Sequence, residues 1–156
     1  MITIRNARPE DDEFIKGHAY RLLEFGPPGW RVQEQDRMTQ ADILHILTAL
    51  RSNNPDNPVL IAVDAEGKSC GFIHLAMQTD YYTGEAYAHL IDIVVIAEAE
   101  GQGVGKFLLQ KAEEWAIQKN SRWITLNAFD GNLRARGVYE KAGYQKEWIR
   151  YLKPLG

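Results

Sequence analysis

The chain of 156 residues contains a single cysteine, Cys70. One cysteine excludes a disulfide within the chain and any metal site built from several thiolates. We interpret Cys70, which precedes a glycine at the start of an apolar run, as an ordinary small buried residue and not as an acyl carrier. The sequence therefore predicts no metal cofactor and fits a reducing, cytoplasmic location.

Positive charge and long apolar runs are also scarce. Lys and Arg number 18 against 21 Asp and Glu, which gives a net charge of -3 and a pI near 5.8. Nucleic-acid-binding proteins usually carry a clustered basic surplus, so we expect no nucleic-acid partner. No stretch is apolar for long enough to cross a bilayer, and the first residues lack the apolar core of a signal peptide. We therefore expect neither membrane insertion nor export.

The order of apolar patterns predicts one α+β domain over residues 1–156. Alternation at residues 2–4 and short apolar runs elsewhere predict strands near residues 2–4, 59–63, 71–77, 87–96, 123–127 and 144–152. Helical spacing predicts helices that begin at Pro9, Thr39, Val104 and Asn132. Thr39 and Asp42 resemble a capping box, and the Gly-Pro-Pro-Gly sequence at 26–29 predicts a loop over residues 26–38.

Three glycines at alternate positions, Gly101, Gly103 and Gly105, separate the longest apolar strand from an amphipathic helix. The first N–H groups of a helix have no internal partners and attract anions, so this junction can bind phosphate. A tight turn without a ligand is the structural alternative. A Walker loop is excluded because Phe107 follows Lys106, and a dinucleotide fingerprint lacks its third glycine and its acid.

Residues 93–95 and 100–105 together resemble motif A of the GNAT superfamily of N-acetyltransferases. The segment from Asn127 to Tyr144 is similar to the second half of that family, and residues 2–15 are similar to its first strand and helix. The resemblance implies a single-domain α+β fold. Its sheet is mixed and mostly antiparallel, is flanked by helices, and is splayed at the strand pair around 87–96 and 123–128.

The same resemblance implies that acetyl-coenzyme A is the cosubstrate. The strand backbone would bind the pantetheine arm, the turn amides would bind the pyrophosphate, and later side chains would complete the site. These positions are Ile93, Val94, Val95, Gly101, Gln102, Gly103, Val104, Gly105, Lys106, Asn127, Asn132 and Tyr139. Asn132 also suits the N-cap of the last helix, and both roles can hold together.

The implied reaction is direct attack of a primary amine on the acetyl group within a ternary complex. Tyr139 matches the family tyrosine that donates a proton to the departing thiolate, and the alternative is a packing tyrosine. His89 is the candidate base, with Asp92 and a water relay as rivals. Strict alternation predicts that His89 faces the same side as Ile93 and that Asp92 faces the other side.

The acceptor is a small-molecule amine or a peptide, and a homodimer is possible because many relatives dimerise. Several loop residues could line the acceptor pocket, namely Phe25, Trp30, Tyr81 and Tyr82, with Glu24, Glu34 or Asp36 facing a cation. A non-catalytic acyl-coenzyme A sensor of the same fold is the alternative function. A structural or partner-binding domain without a cofactor is a third hypothesis, which the two matched motifs disfavour.

Glu100 departs from the family pattern, which usually has Arg or Gln at this position. If the carboxylate faces the pyrophosphate, like charges oppose each other and weaken cofactor binding. Alternatively, Glu100 turns to solvent or caps the next helix.

Overall fold

The structure, a computed structural model, describes residues 1–156 and contains one five-stranded sheet in the order β1-β2-β3-β4-β5. The strands are β1 (Thr3–Asn6), β2 (Val59–Val63), β3 (Ser69–Thr79), β4 (Ala86–Val95) and β5 (Ile124–Leu126). The first four strands are antiparallel, whereas β5 runs parallel to β4. The predicted α+β class with a mixed, mostly antiparallel sheet is confirmed.

Four α-helices flank the sheet: α1 (Asp12–His18), α2 (Gln35–Ser52), α3 (Val104–Gln118) and α4 (Leu133–Lys141). Short 3-10 turns cover Pro9–Asp11, Ala19–Leu23, Gly29–Glu34 and Ala97–Ala99. None of the helices is long and apolar enough to cross a membrane.

The start of α2 differs from the prediction. The helix begins at Gln35, so the predicted loop over 26–38 is wrong in its second half, and Thr39 and Asp42 lie inside the helix instead of capping it. Residues 30–38 contain no glycine or proline and are rich in good helix formers, which explains the earlier start. The predicted end is confirmed, because Asn53 adopts a left-handed φ of 50° and stops the helix.

The predicted last strand over 144–152 is also wrong. This segment has no regular structure, and its apolar side chains beyond Tyr144, including Trp148 and Tyr151, are exposed. A strand requires a neighbour for its backbone hydrogen bonds, and β5 offers only three residues, which pair with β4 alone. Local β-propensity at 144–152 therefore does not produce a strand.

The two faces of the sheet are covered by different helices. On one face, Phe72 and Val94 pack with residues of α1 and α2 such as Ile15 and Ile46. On the other face, strand residues such as Ile73 and Leu90 pack with Leu108 and Ala112 of α3. Each cluster has nine buried hydrophobic residues, so burial holds the sheet between α1 and α2 on one side and α3 on the other.

A β-bulge interrupts β4 at Ile91. Asp92 pairs with His74 and Leu90 pairs with Leu75, so Ile91 has no partner on β3. An extra residue shifts the alternation of every side chain beyond it. Strict alternation counted from the residues before Ile91 therefore predicts the wrong side of the sheet for the side chains after it.

Candidate active site

The sheet opens between β4 and β5. Hydrogen-bonded pairing joins only Ala88–Leu90 to Ile124–Leu126, whereas β4 continues to Val95. The edge of β4 from Ile91 to Val95 consequently faces a gap, and the predicted splay is confirmed. Free backbone groups along such an edge can bind an extended ligand as if it were an additional strand. Ile93, Val94 and Val95 all lie along this part of β4.

The glycine turn presents free amides beside the gap. Gly101 and Gly103 have φ values of 75° and 82°, and a Cβ atom on either residue would meet nothing within 4 Å. The amides of Val104, Gly105 and Lys106 donate no hydrogen bond within the chain. Unpaired donors at the start of a 15-residue helix favour an anion at this point.

Glu100 is held by two arginines. Its carboxylate forms ion pairs with Arg21 and with Arg134, the latter at 3.3 Å. The Arg21 guanidinium lowers the pKa of Glu100, and Arg134 adds to this effect. The effect of Glu100 on pyrophosphate binding stays a prediction, and the two cations offset the repulsion expected from its carboxylate. The side chain is 32% exposed and forms no cap hydrogen bond with the next helix.

Arg21, which the motif comparison did not identify, ties the end of β4 to the turn. Its Nε–H donates to the Val95 carbonyl at 2.7 Å, and its Nη1 donates to Glu24 at 2.9 Å. The Arg21 side chain is only 13% exposed. Because the relevant arginine comes 79 positions before Glu100 in the chain, no local sequence signal connects the two residues.

The segment from Arg21 to Gly26 bridges the mouth of the gap. Arg21 contacts Val95 on the β4 side, while Gly26 packs against Phe129 and Asn132 beyond β5. A Cβ atom at Gly26 would lie 2.8 Å from the Phe129 Cβ and 2.9 Å from the Asn132 Cβ. A cavity of about 240 Å³ opens next to this contact and is lined by Phe25, Gly131, Asn132, Leu133 and Arg134.

Two asparagines lie between β5 and α4. Asn132 is the N-cap of α4, because its Oδ1 accepts a hydrogen bond from the Ala135 amide at 3.2 Å. The structural role considered for Asn132 is therefore confirmed, while its contact with a cofactor stays a prediction. Asn127 directly follows β5 and is exposed.

Tyr139 of α4 and Tyr144, which follows the helix, form an aromatic pair with ring centroids 6.1 Å apart. Burial raises the pKa of Tyr139, so its hydroxyl keeps its proton at neutral pH. Burial first, and then the nearby carboxylate of Glu113, raise the pKa of Tyr144. Neither tyrosine is hydrogen-bonded to His89.

His89 and Asp92 face the same side of the sheet. Their partners on β3, Ala76 and His74, are two residues apart, so the Cα atoms of His89 and Asp92 are separated by about 7 Å along the sheet. The prediction that Asp92 faces away from His89 is wrong, and the bulge at Ile91 is the reason. His89 Nδ1 lies 2.6 Å from Thr125 Oγ1. Burial lowers the pKa of His89, although Asp92 opposes this effect.

Further titratable groups surround Asp92. His74 Nδ1 lies 3.3 Å from Asp92 Oδ2, and His74 Nε2 lies 2.7 Å from Asn57 Oδ1. Asp42 of α2 faces the same space: burial first, and then the charge of Asp92, raise its pKa to about 6. Chain positions alone did not single out Asn57, His74 or Asp42, since they come from three separate elements.

The residues predicted for the acceptor pocket do not converge. Glu24 and Glu34 are already paired with Arg21 and Arg31. Tyr82 stacks on Trp148 with ring centroids 6.3 Å apart. Of the four aromatic candidates, only Phe25 lines the 240 Å³ cavity beside α4. No group of three or more His, Cys, Asp or Glu side chains is placed to hold a metal ion.

The gap and the glycine turn both lie within a segment that matches a known family. A model of the Acetyltransferase (GNAT) family matches residues 19–144, which include both motifs and the whole gap. The chain belongs to the GNAT acetyltransferase family. The resemblance stated from the sequence is thereby confirmed.

Individual relatives place this GNAT chain among N-acetyltransferases. It is 30% identical to the uncharacterized N-acetyltransferase YhfO of Bacillus subtilis over 97 residues, which are 62% of the chain and 64% of that relative. It is 27% identical to the thialysine N-epsilon-acetyltransferase of Mus musculus over 148 residues, which are 91% of the chain and 83% of that relative. The solved structure of AAC(6')-Iy with a bisubstrate analogue, CoA-S-monomethyl-acetylneamine, has a TM-score of 0.69 at 23% identity and covers 99% of both chains.

The GNAT fold raises the question of whether these residues fit acetyl-coenzyme A. The gap offers an unpaired strand edge for an extended arm, and the turn offers free amides for a pyrophosphate. The open space over Gly101 and Gly103 lets a phosphate approach the backbone closely. All three features suit an acyl-coenzyme A ligand.

Proposed function

We propose that this chain is an acetyl-coenzyme A-dependent N-acetyltransferase that acetylates a primary amine by direct attack in a ternary complex. The splayed edge of β4 beside the glycine turn carries the proposal, because it offers an extended site that ends on free amides. AAC(6')-Iy was solved with a bisubstrate analogue that joins coenzyme A to an acetylated amine. The mouse relative is named for an amine acceptor, thialysine. Both observations support this chemistry.

In this proposal the chain supplies the cofactor site with backbone groups from two elements. Ile93, Val94 and Val95 hold the pantetheine arm along β4, and the turn from Gly101 to Lys106 holds the pyrophosphate. Asn127, Asn132 and Tyr139 complete the site from the β5 side. Acetyl-coenzyme A supplies an activated thioester when it is bound.

His89 acts as the base in this mechanism. An alkylamine with a pKa near 10 is almost entirely charged at neutral pH and must lose a proton before it attacks. Because burial lowers the pKa of His89, its imidazole is neutral at pH 7 and able to accept that proton. The hydrogen bond to Thr125 holds the ring through Nδ1, which leaves Nε2 for the incoming amine.

Tyr139 acts as the proton donor at the end of the reaction. Negative charge develops on sulfur when the thioester is cleaved, and a donor close to that atom stabilises the charge. The raised pKa of Tyr139 keeps its hydroxyl protonated until then. The proton lost by the amine and the proton gained by sulfur are therefore handled by two different elements, β4 and α4.

A panel of primary amines tests the proposal, with release of free coenzyme A as the readout. We expect turnover with at least one amine, and a kcat/KM that falls as the pH drops below the lowered pKa of His89. His89→Gln should remove this acidic decline and recover activity at alkaline pH, where the amine loses its proton unaided. An unchanged pH profile in His89→Gln would assign the base to Asp92 or to water.

The same panel separates the proposal from a sensor function. A non-catalytic acyl-coenzyme A sensor would show a rise in melting temperature with the cofactor but release no coenzyme A with any amine. A domain with no cofactor would show neither. The tyrosine at position 139, where the family has its proton donor, favours the enzyme, since a sensor has no use for a proton donor there.

A further inference from the structure

Asn57, His74 and Asp92 form a chain of polar contacts that ends on the face of the sheet that also carries His89. Asn57, in the loop before β2, contacts Nε2 of His74 at 2.7 Å, and Nδ1 of His74 contacts Oδ2 of Asp92 at 3.3 Å. His74 is 3% exposed and Asp92 is 9% exposed. Buried polar groups of this kind are costly to the fold unless each is paired, so their retention calls for a reason.

Only one of the two carboxylate oxygens of Asp92 has a hydrogen-bond partner within the chain. Asp92 Oδ2 is held by the His74 ring, whereas Oδ1 forms no hydrogen bond within the chain. His89, the proposed base, lies on the same face about 7 Å along the sheet, so a group bound between the two side chains can reach both. The free oxygen of Asp92 is thus available to an N–H group next to the base.

We infer that His74, anchored by Asn57, is a positioning residue that holds Asp92 Oδ2 and thereby directs Oδ1 to the ammonium group of the acceptor. This inference rests on the proposed acetylation of an amine. Asp92 binds one N–H of the ammonium, and His89 Nε2 takes the proton from another, so nitrogen keeps the lone pair with which it attacks. The assigned substrate class is an amine that enters as a cation.

Other titratable groups face Asp92 and belong to the same electrostatic environment. Asp42 approaches it from α2, His89 lies on β4 itself, and His74 lies on β3. A cationic acceptor lowers the repulsion between Asp42 and Asp92, which agrees with the assigned substrate class.

A matched pair of variants separates positioning from packing. His74→Asn places an amide N–H where Nδ1 now lies, so it keeps the contact with Asp92 and loses Asn57. His74→Gln reaches the position of Nε2, so it keeps Asn57 and loses Asp92. Both replace the same buried ring by a neutral amide. His45→Gln, at the exposed neighbouring histidine, is the control for the loss of an imidazole.

We expect His74→Gln to raise the KM for the amine about tenfold, which corresponds to one hydrogen bond to a charged group, with the KM for acetyl-coenzyme A unchanged. His74→Asn should change the KM for the amine by less than about threefold, although its melting temperature falls as much as that of His74→Gln. His45→Gln should leave both constants unchanged. Equal KM values in the two His74 variants would overturn the inference.

Spectra of protein with ¹⁵N-labelled histidine test the contact without turnover. The chain has four histidines, and Asp92→Asn should shift the Nδ1 resonance of His74 most, while that of His45 stays in place. An unmoved His74 resonance would overturn the inference even in an active enzyme. If no form of the protein acetylates any amine, the proposed function fails, and this spectrum still decides whether His74 holds Asp92.

Discussion

Substitution by alanine should have opposite effects on stability at two glycines of the turn, Gly103 and Gly105. Gly103 has a φ of 82°, whereas Gly105 lies inside α3 with ordinary helical geometry. An alanine Cβ at Gly103 would meet no atom within 4 Å, and one at Gly105 would lie 3.7 Å from Val95 Cγ2, which is an ordinary contact. Neither alanine variant is therefore destabilised by a steric clash. The backbone conformation at each position determines how the substitution changes stability.

The expected magnitudes follow from the backbone. Alanine in the left-handed region costs about 1–2 kcal/mol, so Gly103→Ala should lower the melting temperature by about 2–8 °C for a chain of this length. Alanine is better than glycine inside a helix by roughly 0.5–1 kcal/mol, so Gly105→Ala should raise it by about 1–4 °C. Relief of strain at Gly103→Ala also turns the amides of Val104 and Lys106 away from the phosphate position.

The affinity for coenzyme A is the second quantity to measure in these two variants. Loss of one amide bond to a charged phosphate weakens binding at least about tenfold, which we expect for Gly103→Ala by calorimetric titration with coenzyme A. Gly105→Ala should keep its affinity within about threefold, since its amide does not move. If both variants lose affinity equally, or if Gly103→Ala binds as the wild type does, the turn amides do not hold the pyrophosphate.

Three further substitutions test other parts of the site. Tyr139→Phe should lower kcat about a hundredfold with the KM for acetyl-coenzyme A nearly constant in steady-state assays, and full turnover would make Tyr139 a packing residue. Asp42→Asn should raise the melting temperature at pH 7 but not at pH 4: the pKa of Asp42 is raised to about 6, so the folded state holds its proton more tightly and loses stability as the pH rises from about 4 through 6. A gain that is equal at both pH values would contradict this linkage. Glu100→Gln should release Arg21 and Arg134, lower the melting temperature and weaken cofactor binding, and tighter binding would restore the idea of charge repulsion.

Patterns that depend on neighbours in the chain could be predicted from the sequence. The glycine turn, α3 and the apolar strand before it are local features, and each occurs where its pattern indicated. The N-cap at Asn132 is equally local, because the bond to Ala135 spans three residues. The splay between β4 and β5 came from the family resemblance, since no residue pattern in either strand specifies where pairing stops.

Features that depend on distant partners could not be predicted. Strict alternation predicts the wrong face for Asp92, because the bulge at Ile91 depends on pairing with β3 and leaves no mark in the sequence of β4. The motif alone does not predict the ion pair of Glu100, because Arg21 comes from a distant part of the chain. The segment 144–152 has the propensity of a strand but has no neighbouring strand, so tertiary context overrides propensity there.

The bulge at Ile91 also determines which insertions and deletions this protein can tolerate. Without that one residue, β4 would alternate regularly, and either His89 or Asp92 would turn into the apolar layer beneath α3. An unpaired polar group there would cost stability as well as the pairing of the two side chains. Ile91 is 38% exposed, so many substitutions fit its side chain, yet the position itself cannot be deleted. Length, more than residue identity, is thus the constrained property of this strand.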